Sequence, residues 1–237
     1  MLDLRAAVHS RDHSQLGRDL GAAFDADQLH IVYQPIVRLA DGQLEGVEAL
    51  LRWTDPERGA VPAISFVAVA EQTDLICEIG AWVLDRGCRT RTRWVHEFPD
   101  HPVDLALNVS GRQLMTAGFL DTVVRVLTET GMDPTALVLD VTENVLLEGS
   151  DRARDVLAGL RAMVAAVTHV AHVLGLTVVA EGVESRLQRD ELINIGCETG
   201  QGYFYARPMT AEEIDCQLLS PVDVGRLPAH CDGHGQG

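Results

Sequence analysis

Segments typical of β-strands alternate with segments typical of helices along most of this 237-residue chain. The six strand candidates, recognised by apolar alternation and flanking turn residues, lie at 29–39, 44–53, 103–109, 136–141, 176–180 and 199–205. Amphipathic helical patterns separate most of them. One runs from 75 to 98, with Trp82 and Trp94 expected in the core, and another follows the third strand candidate and continues to about Thr130. A repeated order of strand and helix predicts an α/β fold of the (β/α) barrel type, in which functional residues gather at the carboxyl ends of the strands.

Charge and hydropathy exclude several classes of protein. The net charge is −16, which argues against a nucleic-acid partner, and all 19 positive charges are arginines because the chain has no lysine. No apolar run approaches the roughly 18 residues of a membrane helix, and the start lacks a signal-peptide pattern. The five cysteines show no CxxC spacing. We therefore expect a cytoplasmic globular protein with no membrane partner.

The second strand candidate carries charged residues in an otherwise apolar run. Alternation along a strand places Glu48, Leu50 and Arg52 on one face. A carboxylate and a guanidinium at a strand end can bind a metal ion and a phosphate oxygen. On these residues alone, a structural ion pair on a half-buried strand explains the pattern equally well.

Polar residues also stand at the ends of other predicted strands. Together with Glu48 and Arg52 they are Asn108, Asp140, Glu181, Glu184 and Gln201. Carboxylate and carboxamide oxygens from several strands, converging on one mouth of a barrel, predict a divalent-cation site.

Five short motifs follow one another in a recognisable order. They are Tyr33-Gln34-Pro35-Ile36-Val37, Glu48-Ala49-Leu50-Leu51-Arg52-Trp53, Asn108-Val109-Ser110, Val179-Ala180-Glu181-Gly182-Val183-Glu184 and Gln201-Gly202-Tyr203. In these motifs the chain resembles the EAL-domain family of cyclic-di-GMP phosphodiesterases over about residues 18–212. The resemblance implies a TIM-like barrel in which two Mg²⁺ or Mn²⁺ ions activate the water that opens cyclic-di-GMP to pGpG.

The resemblance also implies a role for each matching residue. The implied metal ligands are Glu48, Asn108, Asp140 and Glu181. Glu184 would be an acid that supports these ligands without binding the metal itself. The implied substrate contacts are Gln34, Leu50, Arg52 and Gln201, of which Arg52 would hold a phosphate. Asp140 stands where the family has a glutamate, and its side chain is one methylene shorter.

The chain lacks two further elements of the family pattern. One is a strand ending in Asp-Asp followed by Phe-Gly-Thr-Gly, and the other is a strand carrying Leu-Lys-Ile-Asp. Spacing agrees with this, because only 41 residues separate Asp140 from Glu181, whereas one βα unit takes roughly 31. We expect two internal βα units to be missing, with the join between about 162 and 165, and an incomplete EAL-type barrel of about six strands instead of eight.

These comparisons divide the chain into three parts. We expect a lead-in at 1–17, the EAL domain at 18–218, and a disordered tail at 219–237 rich in Pro, Gly and His. A continuous apolar stripe predicts one long helix at 151–174, lying beside the gap and covering it incompletely. An uncovered strand edge predicts self-association, so we expect a homodimer or a signalling protein as partner.

The missing elements hold the bridging aspartates and the lysine of the family's metal site. We therefore expect a degenerate EAL domain without residues sufficient for catalysis, retaining only Glu181 and Glu184 of the catalytic acids and at most one weakly held Mg²⁺ or Mn²⁺ ion. Its role would be cyclic-di-GMP binding or protein interaction in bacterial signalling. Two alternatives are a working phosphodiesterase with a metal site rebuilt from the remaining acids, and a poorly folded product without function.

Overall fold

The computed structural model describes residues 4–141 and 178–219. The chain divides into two compact units, and the described residues of the first unit are 4–33 and 48–141. The second unit contributes 34–47 and 178–219. The predicted helix at 151–174, the join at 162–165 and most of the predicted tail lie outside the described residues.

Helices and strands of the first unit follow the alternation predicted from the sequence. The helices are α1 (Leu4–Asp25), α2 (Ala63–Glu71), α3 (Leu75–Glu97), α4 (Gly111–Met115) and α5 (Phe119–Thr130). The strands are β1 (Leu29–Arg38), β2 (Leu44–Asp55), β3 (Gly59–Val61), β4 (Asp104–Val109) and β5 (Leu137–Val141). Residues 34–38 of β1 and 44–47 of β2 belong to the second unit.

The sheet of the first unit has the strand order β5–β4–β2–β1, and the short strand β3 pairs with β2. Strands β4 and β5 run parallel, in a register that joins Leu105 to Leu137 and Val109 to Val141. Among the described residues, β5 has β4 as its single neighbour. The side chain of Val138 on this edge strand is 49% exposed.

Aromatic residues fill the core of the first unit. The side chains of Trp53 and Phe66 are 1% and 0% exposed, and their rings meet edge to face at 5.8 Å. Trp94 is fully buried, as the amphipathic pattern of α3 predicts. Trp82, also predicted to pack in the core, is only partly buried, and its ring contacts Phe24 edge to face at 6.1 Å.

The chain after β4 forms two helices where the sequence predicts one continuous helix to Thr130. Helix α4 ends at Met115, and α5 begins after Gly118, whose φ of 91° lies in the left-handed region. A residue in that conformation cannot continue a right-handed helix. The prediction of a single helix is therefore wrong at residues 116–118.

The second unit has shorter strands. They are β6 (Val179–Ala180) and β7 (Thr199–Gly200), accompanied by helices α6 (Arg186–Asn194) and α7 (Ala211–Leu219). Strand β7 pairs antiparallel with β1 through Val37 and Gly200, and parallel with β6 through Ala180 and Gly200. Helix α7 was not predicted from the sequence.

The predicted strand at 199–205 ends at Gly200 because the backbone turns directly afterwards. The amide of Tyr205 donates to the carbonyl of Gly202 at 3.0 Å, so residues 202–205 form a turn that bends away from the strand. The described residues contain no helix that is both long enough and apolar enough to cross a bilayer.

Candidate functional site

Glu48 and Asn108 lie together although 60 positions separate them in the sequence. Asn108 Nδ2 donates a hydrogen bond to Glu48 Oε1 at 2.5 Å. Glu48 is on β2 and Asn108 is one residue before the end of β4, so two neighbouring strands present these groups. The predicted convergence of these two residues is therefore what the structure shows.

Asp140 extends this pair to a third strand. Its Cα is the register partner of the Asn108 Cα in the parallel β4–β5 ladder. Successive residues of a strand point to opposite faces, so register partners carry their side chains on the same face of the sheet. The first unit thus places two carboxylates and one carboxamide on adjacent strands.

The oxygens of Glu48, Asn108 and Asp140 are of the kind that binds a hard divalent cation, but they come from only two acids and one amide. Mg²⁺ and Mn²⁺ favour carboxylate and carboxamide oxygens. Within the residues that the structure describes, no three His, Cys, Asp or Glu side chains lie close enough to hold a metal ion. A cation bound here must also replace the hydrogen bond that Asn108 makes to Glu48, and such charge-assisted bonds contribute about 1.5–3 kcal/mol. Metal binding by Glu48, Asn108 and Asp140 therefore stays a prediction.

Arg52 and Leu50 line a cavity of about 270 Å³ in the first unit, which we call the front cavity. Other residues of its wall include Ile64, Glu71, Asn108 and Gln113. Arg52 Nη1 donates to the carbonyl of Leu51 at 2.9 Å, and Arg52 forms no ion pair with a carboxylate in the described ranges. The alternative of a structural Glu48–Arg52 ion pair is thus wrong, and the guanidinium keeps donors for a ligand.

The second unit holds Glu181, Glu184 and Gln201 on two loops joined through their backbones. The amide of Gln201 donates to the carbonyl of Ala180 at 2.8 Å, and the amide of Val183 donates to the carbonyl of Gln201 at 3.1 Å. Glu181 and Glu184 are exposed, whereas Gln201 is 8% exposed. The two motifs that carry these residues are therefore neighbours in space.

Gln34 has a structural partner in addition to its implied contact with substrate. Its side chain is 5% exposed, and its Nε2 donates to the carbonyl of Ala206 at 2.7 Å. This bond ties β1 to the loop that follows Gly202. One of the two amide protons of Gln34 is thereby used within the protein.

The sequence assigned no role to three residues that lie beside Glu48, Asn108 and Asp140, which we call the first-unit site. Ser110 and Gln113 form a capping box at the start of α4, and Gly80 on α3 lies against the Gln113 amide. The sequence signal was available, because Ser-x-x-Gln after a strand is a capping-box pattern. The contact with Gly80, by contrast, has no local sequence signal.

Comparison with known proteins places the chain in a family. The EAL domain profile matches residues 18–163 and 158–208, so the chain belongs to the EAL domain family. The bifunctional diguanylate cyclase/cyclic di-GMP phosphodiesterase MucR of Pseudomonas aeruginosa is 31% identical over 253 positions, covering 87% of this chain and 37% of that protein. The oxygen sensor protein DosP of Escherichia coli is 31% identical, covering 88% and 32%. The chain thus spans about a third of the length of these relatives.

A solved structure of the same family has a similar fold. The PaMucR phosphodiesterase in complex with c-di-GMP superposes with a TM-score of 0.75 at 31% identity, covering 84% of this chain and 99% of that one. The predicted fold class, an incomplete TIM-like barrel of the EAL type, is confirmed. The described residues supply seven strands, six at the predicted places and the short β3 in addition.

The alignments also show that the chain is internally shorter than its relatives. The MucR alignment has 253 positions but covers 87% of 237 residues, about 206, so about 47 positions have no counterpart here. The DosP alignment of 255 positions covers 88%, about 209 residues, and leaves about 46. The two segments matched by the family profile meet at 158–163. The predicted internal truncation is therefore confirmed, while the exact units that are missing stay a prediction.

Proposed function

We propose that this EAL domain binds cyclic-di-GMP without hydrolysing it. The observation that carries the proposal is Arg52, a half-buried guanidinium that lines the front cavity and has no carboxylate partner in the described ranges. A guanidinium with open donors is well suited to a phosphate oxygen. PaMucR, which shares 31% of its residues with this chain in the superposition, has been solved with c-di-GMP bound.

Hydrolysis requires more than a phosphate contact. A two-metal phosphodiesterase clamps both ions with shared carboxylates and positions the attacking water between them. Of the predicted metal ligands, the first unit carries two carboxylates, Glu48 on β2 and Asp140 on β5. The chain has neither the Asp-Asp pair of the family pattern nor any lysine. We therefore expect binding to survive where catalysis does not.

A single Mg²⁺ or Mn²⁺ ion would be held in the first unit by Glu48, Asn108 and Asp140. When bound, such an ion supplies positive charge next to a ligand phosphate. In its absence Asn108 and Glu48 satisfy each other through their hydrogen bond. We expect cyclic-di-GMP affinity to rise when millimolar Mg²⁺ is added, because the ion offsets the carboxylate charge near the phosphate.

Calorimetric titration with cyclic-di-GMP tests the proposal. Arg52→Ala should weaken binding ten- to a hundredfold, which corresponds to about 1.5–3 kcal/mol for a charge-assisted contact. Arg89→Ala is the matched control: Arg89 lies on the surface of α3 paired with Asp85 at 2.8 Å, and its removal changes the net charge by the same amount. Equal weakening by both substitutions, or no binding by the unaltered protein, would count against a receptor.

A working phosphodiesterase is the second candidate, favoured by the 31% identity to MucR. It requires a metal site rebuilt from the remaining acids. Cytoplasmic location, and a homodimer or a signalling protein as partner, stay predictions. Val138 is exposed on β5, which has one neighbouring strand among the described residues, and this supports self-association. Light scattering that shows a monodisperse monomer would exclude the homodimer.

A further inference from the structure

Gln113 is a buried residue of α4 that forms part of the wall of the front cavity. Its side chain is 6% exposed, and its Oε1 accepts hydrogen bonds from Ser110 N at 3.1 Å and from Ser110 Oγ at 3.0 Å. In return, Gln113 N donates to Ser110 Oγ at 3.2 Å. These three bonds fix the conformation of the chain at the point where β4 passes into α4.

Gly80 on α3 leaves the space that the Gln113 amide occupies. A Cβ built on Gly80 would lie 1.8 Å from Gln113 Nε2 and 2.8 Å from Gln113 Cδ. Cβ atoms do not approach other heavy atoms so closely, so any other residue at position 80 must displace the amide. The middle of a helix disfavours glycine by about 1 kcal/mol relative to alanine, and this close approach is a physical reason for one here.

The contact between Gly80 and the Gln113 amide affects the position of Asn108. Asn108 stands two residues before Ser110, and its Nδ2 donates to Glu48 Oε1. Gln113 and Gly80 also form part of the front-cavity wall together with Asn108 and Arg52. Displacement of the Gln113 amide would therefore move both the end of β4 and the wall of the cavity.

We infer that Gln113, seated against Gly80, is a positioning residue that sets the orientation of Asn108 toward Glu48 and thereby the affinity of the front cavity for its ligand. The inference rests on the proposed function for the identity of that ligand, but the positioning of Asn108 can be tested without any ligand. A residue that only capped α4 would affect stability and leave Asn108 in place. A positioning residue affects the Asn108 side chain itself.

Four variants separate these roles: Gln113→Ala, Gly80→Ala, their combination, and Gly87→Ala as control. Gly87 lies about two turns further along α3, and a Cβ there would meet only side-chain ends, Leu105 Cδ2 at 3.2 Å and Leu107 Cδ2 at 3.4 Å. The first readout is the Asn108 side-chain amide signal in a ¹H–¹⁵N spectrum, assigned by its loss in Asn108→Asp. The second readout is the Kd for cyclic-di-GMP in Mg²⁺.

We expect Gln113→Ala and Gly80→Ala each to shift the Asn108 amide signal and to weaken binding by about tenfold, the low end of the loss seen when a residue that orients a metal ligand is removed. The combined variant should be no weaker than Gln113→Ala alone, because the added methyl group then meets no amide. Gly87→Ala should match the unaltered protein. If Gly80→Ala fails to fold, the combined variant should fold again.

Three results would overturn the inference. One is an unshifted Asn108 signal in Gln113→Ala together with a lowered Tm, which would indicate a capping role only. The second is additive damage in the combined variant, and the third is failure of that variant to fold. If the unaltered protein does not bind cyclic-di-GMP, the proposed function fails, while the spectrum still decides whether Gln113 positions Asn108.

Discussion

The two units of the molecule are held together in different ways. In the first unit β4 and β5 pair over five residues, and α3 buries Trp94, Leu84 and Ile79 against the sheet and its neighbours. In the second unit β6 and β7 pair over two residues, and α6 has no buried residue. The first unit buries large aromatic side chains, whereas the second buries a smaller cluster that includes Val37, Leu39 and Val183 and adds hydrogen bonds such as that from Gln34 to Ala206.

This difference shows where an internal truncation can be tolerated. The two segments matched by the family profile overlap at 158–163, after the elements that build the first-unit core, and we expect the truncation there. That core needs no contact from the missing part to bury Trp53, Phe66 and Trp94. The first unit can therefore keep Glu48, Arg52, Asn108 and Asp140 in place, and the second unit should be the more easily disrupted of the two.

We expect the largest loss of unfolding free energy from a substitution in the core of the first unit. Phe66→Ala removes a fully buried ring packed against Trp53 and should lower the free energy of unfolding by about 3–5 kcal/mol. Ile64→Ala on the same helix is the control, because Ile64 is 84% exposed and surface changes stay within about 0.5 kcal/mol. Urea unfolding followed by tryptophan fluorescence measures both. Similar losses in the two variants would contradict the description of this core.

In the second unit we expect a loss of unfolding free energy that is smaller than the loss in Phe66→Ala. A Cβ on Gly202 would lie 2.2 Å from Val183 O and 2.3 Å from Val183 N, so Gly202→Ala must break the bond from Val183 N to Gln201 O. We expect a cost of about 1–3 kcal/mol, typical of overpacking. Amide exchange should accelerate at Val183 and stay slow in β4 and β5.

Gly21→Ala is the control for this substitution. Gly21 lies in α1, where a Cβ would meet nothing within 4 Å, so the substitution should be neutral or stabilising by up to about 1 kcal/mol. Faster exchange throughout both units in Gly202→Ala would show that the units do not differ in the way described.

The smallest expected effect is a change in how the unfolding free energy depends on pH in alkaline solution. Burial raises the pKa of Tyr205 to about 12, in the second unit, and burial raises the pKa of Cys88 to about 11, in the first. Because the protonated forms are favoured in the folded state, the stabilisation is complete below pH 9 and is lost as the pH rises through these values. The absence of lysine leaves this pH range free of ammonium titrations.

Tyr205→Phe should therefore flatten the dependence of unfolding free energy on pH between 10 and 12. Cys88→Ala should flatten it between 9 and 11. At neutral pH Tyr205→Phe should cost about 0.5–1.5 kcal/mol, since it removes the hydrogen bond from the hydroxyl to Leu39 O. Unchanged pH profiles for both variants would mean that neither group is buried as described.

Local sequence patterns predicted the regular part of the fold. The alternation in β2 correctly placed Glu48, Leu50 and Arg52 on the half-buried face, with Val47, Ala49 and Trp53 buried. The length of α3 was predicted to within one residue of its observed end at Glu97. These elements follow from period and burial alone, which are properties of neighbouring residues.

What the sequence did not predict depends on contacts between distant segments or on single backbone conformations. The hydrogen bond from Gln34 to Ala206 spans 172 positions, and the contact between Gly80 and Gln113 joins two helices. The break at Gly118 depends on one left-handed residue within an otherwise helical pattern. Strand β3 has only three residues, too few to show a period.

We propose above all that this EAL domain binds cyclic-di-GMP in the front cavity and has no phosphodiesterase activity. The most direct test of this claim is chromatographic measurement of pGpG after incubation of the purified protein with cyclic-di-GMP in Mg²⁺ or Mn²⁺. We predict no pGpG above the level of protein-free samples, in conditions where calorimetry shows the ligand bound. Formation of pGpG that disappears in Glu48→Ala would contradict the claim and establish a working enzyme.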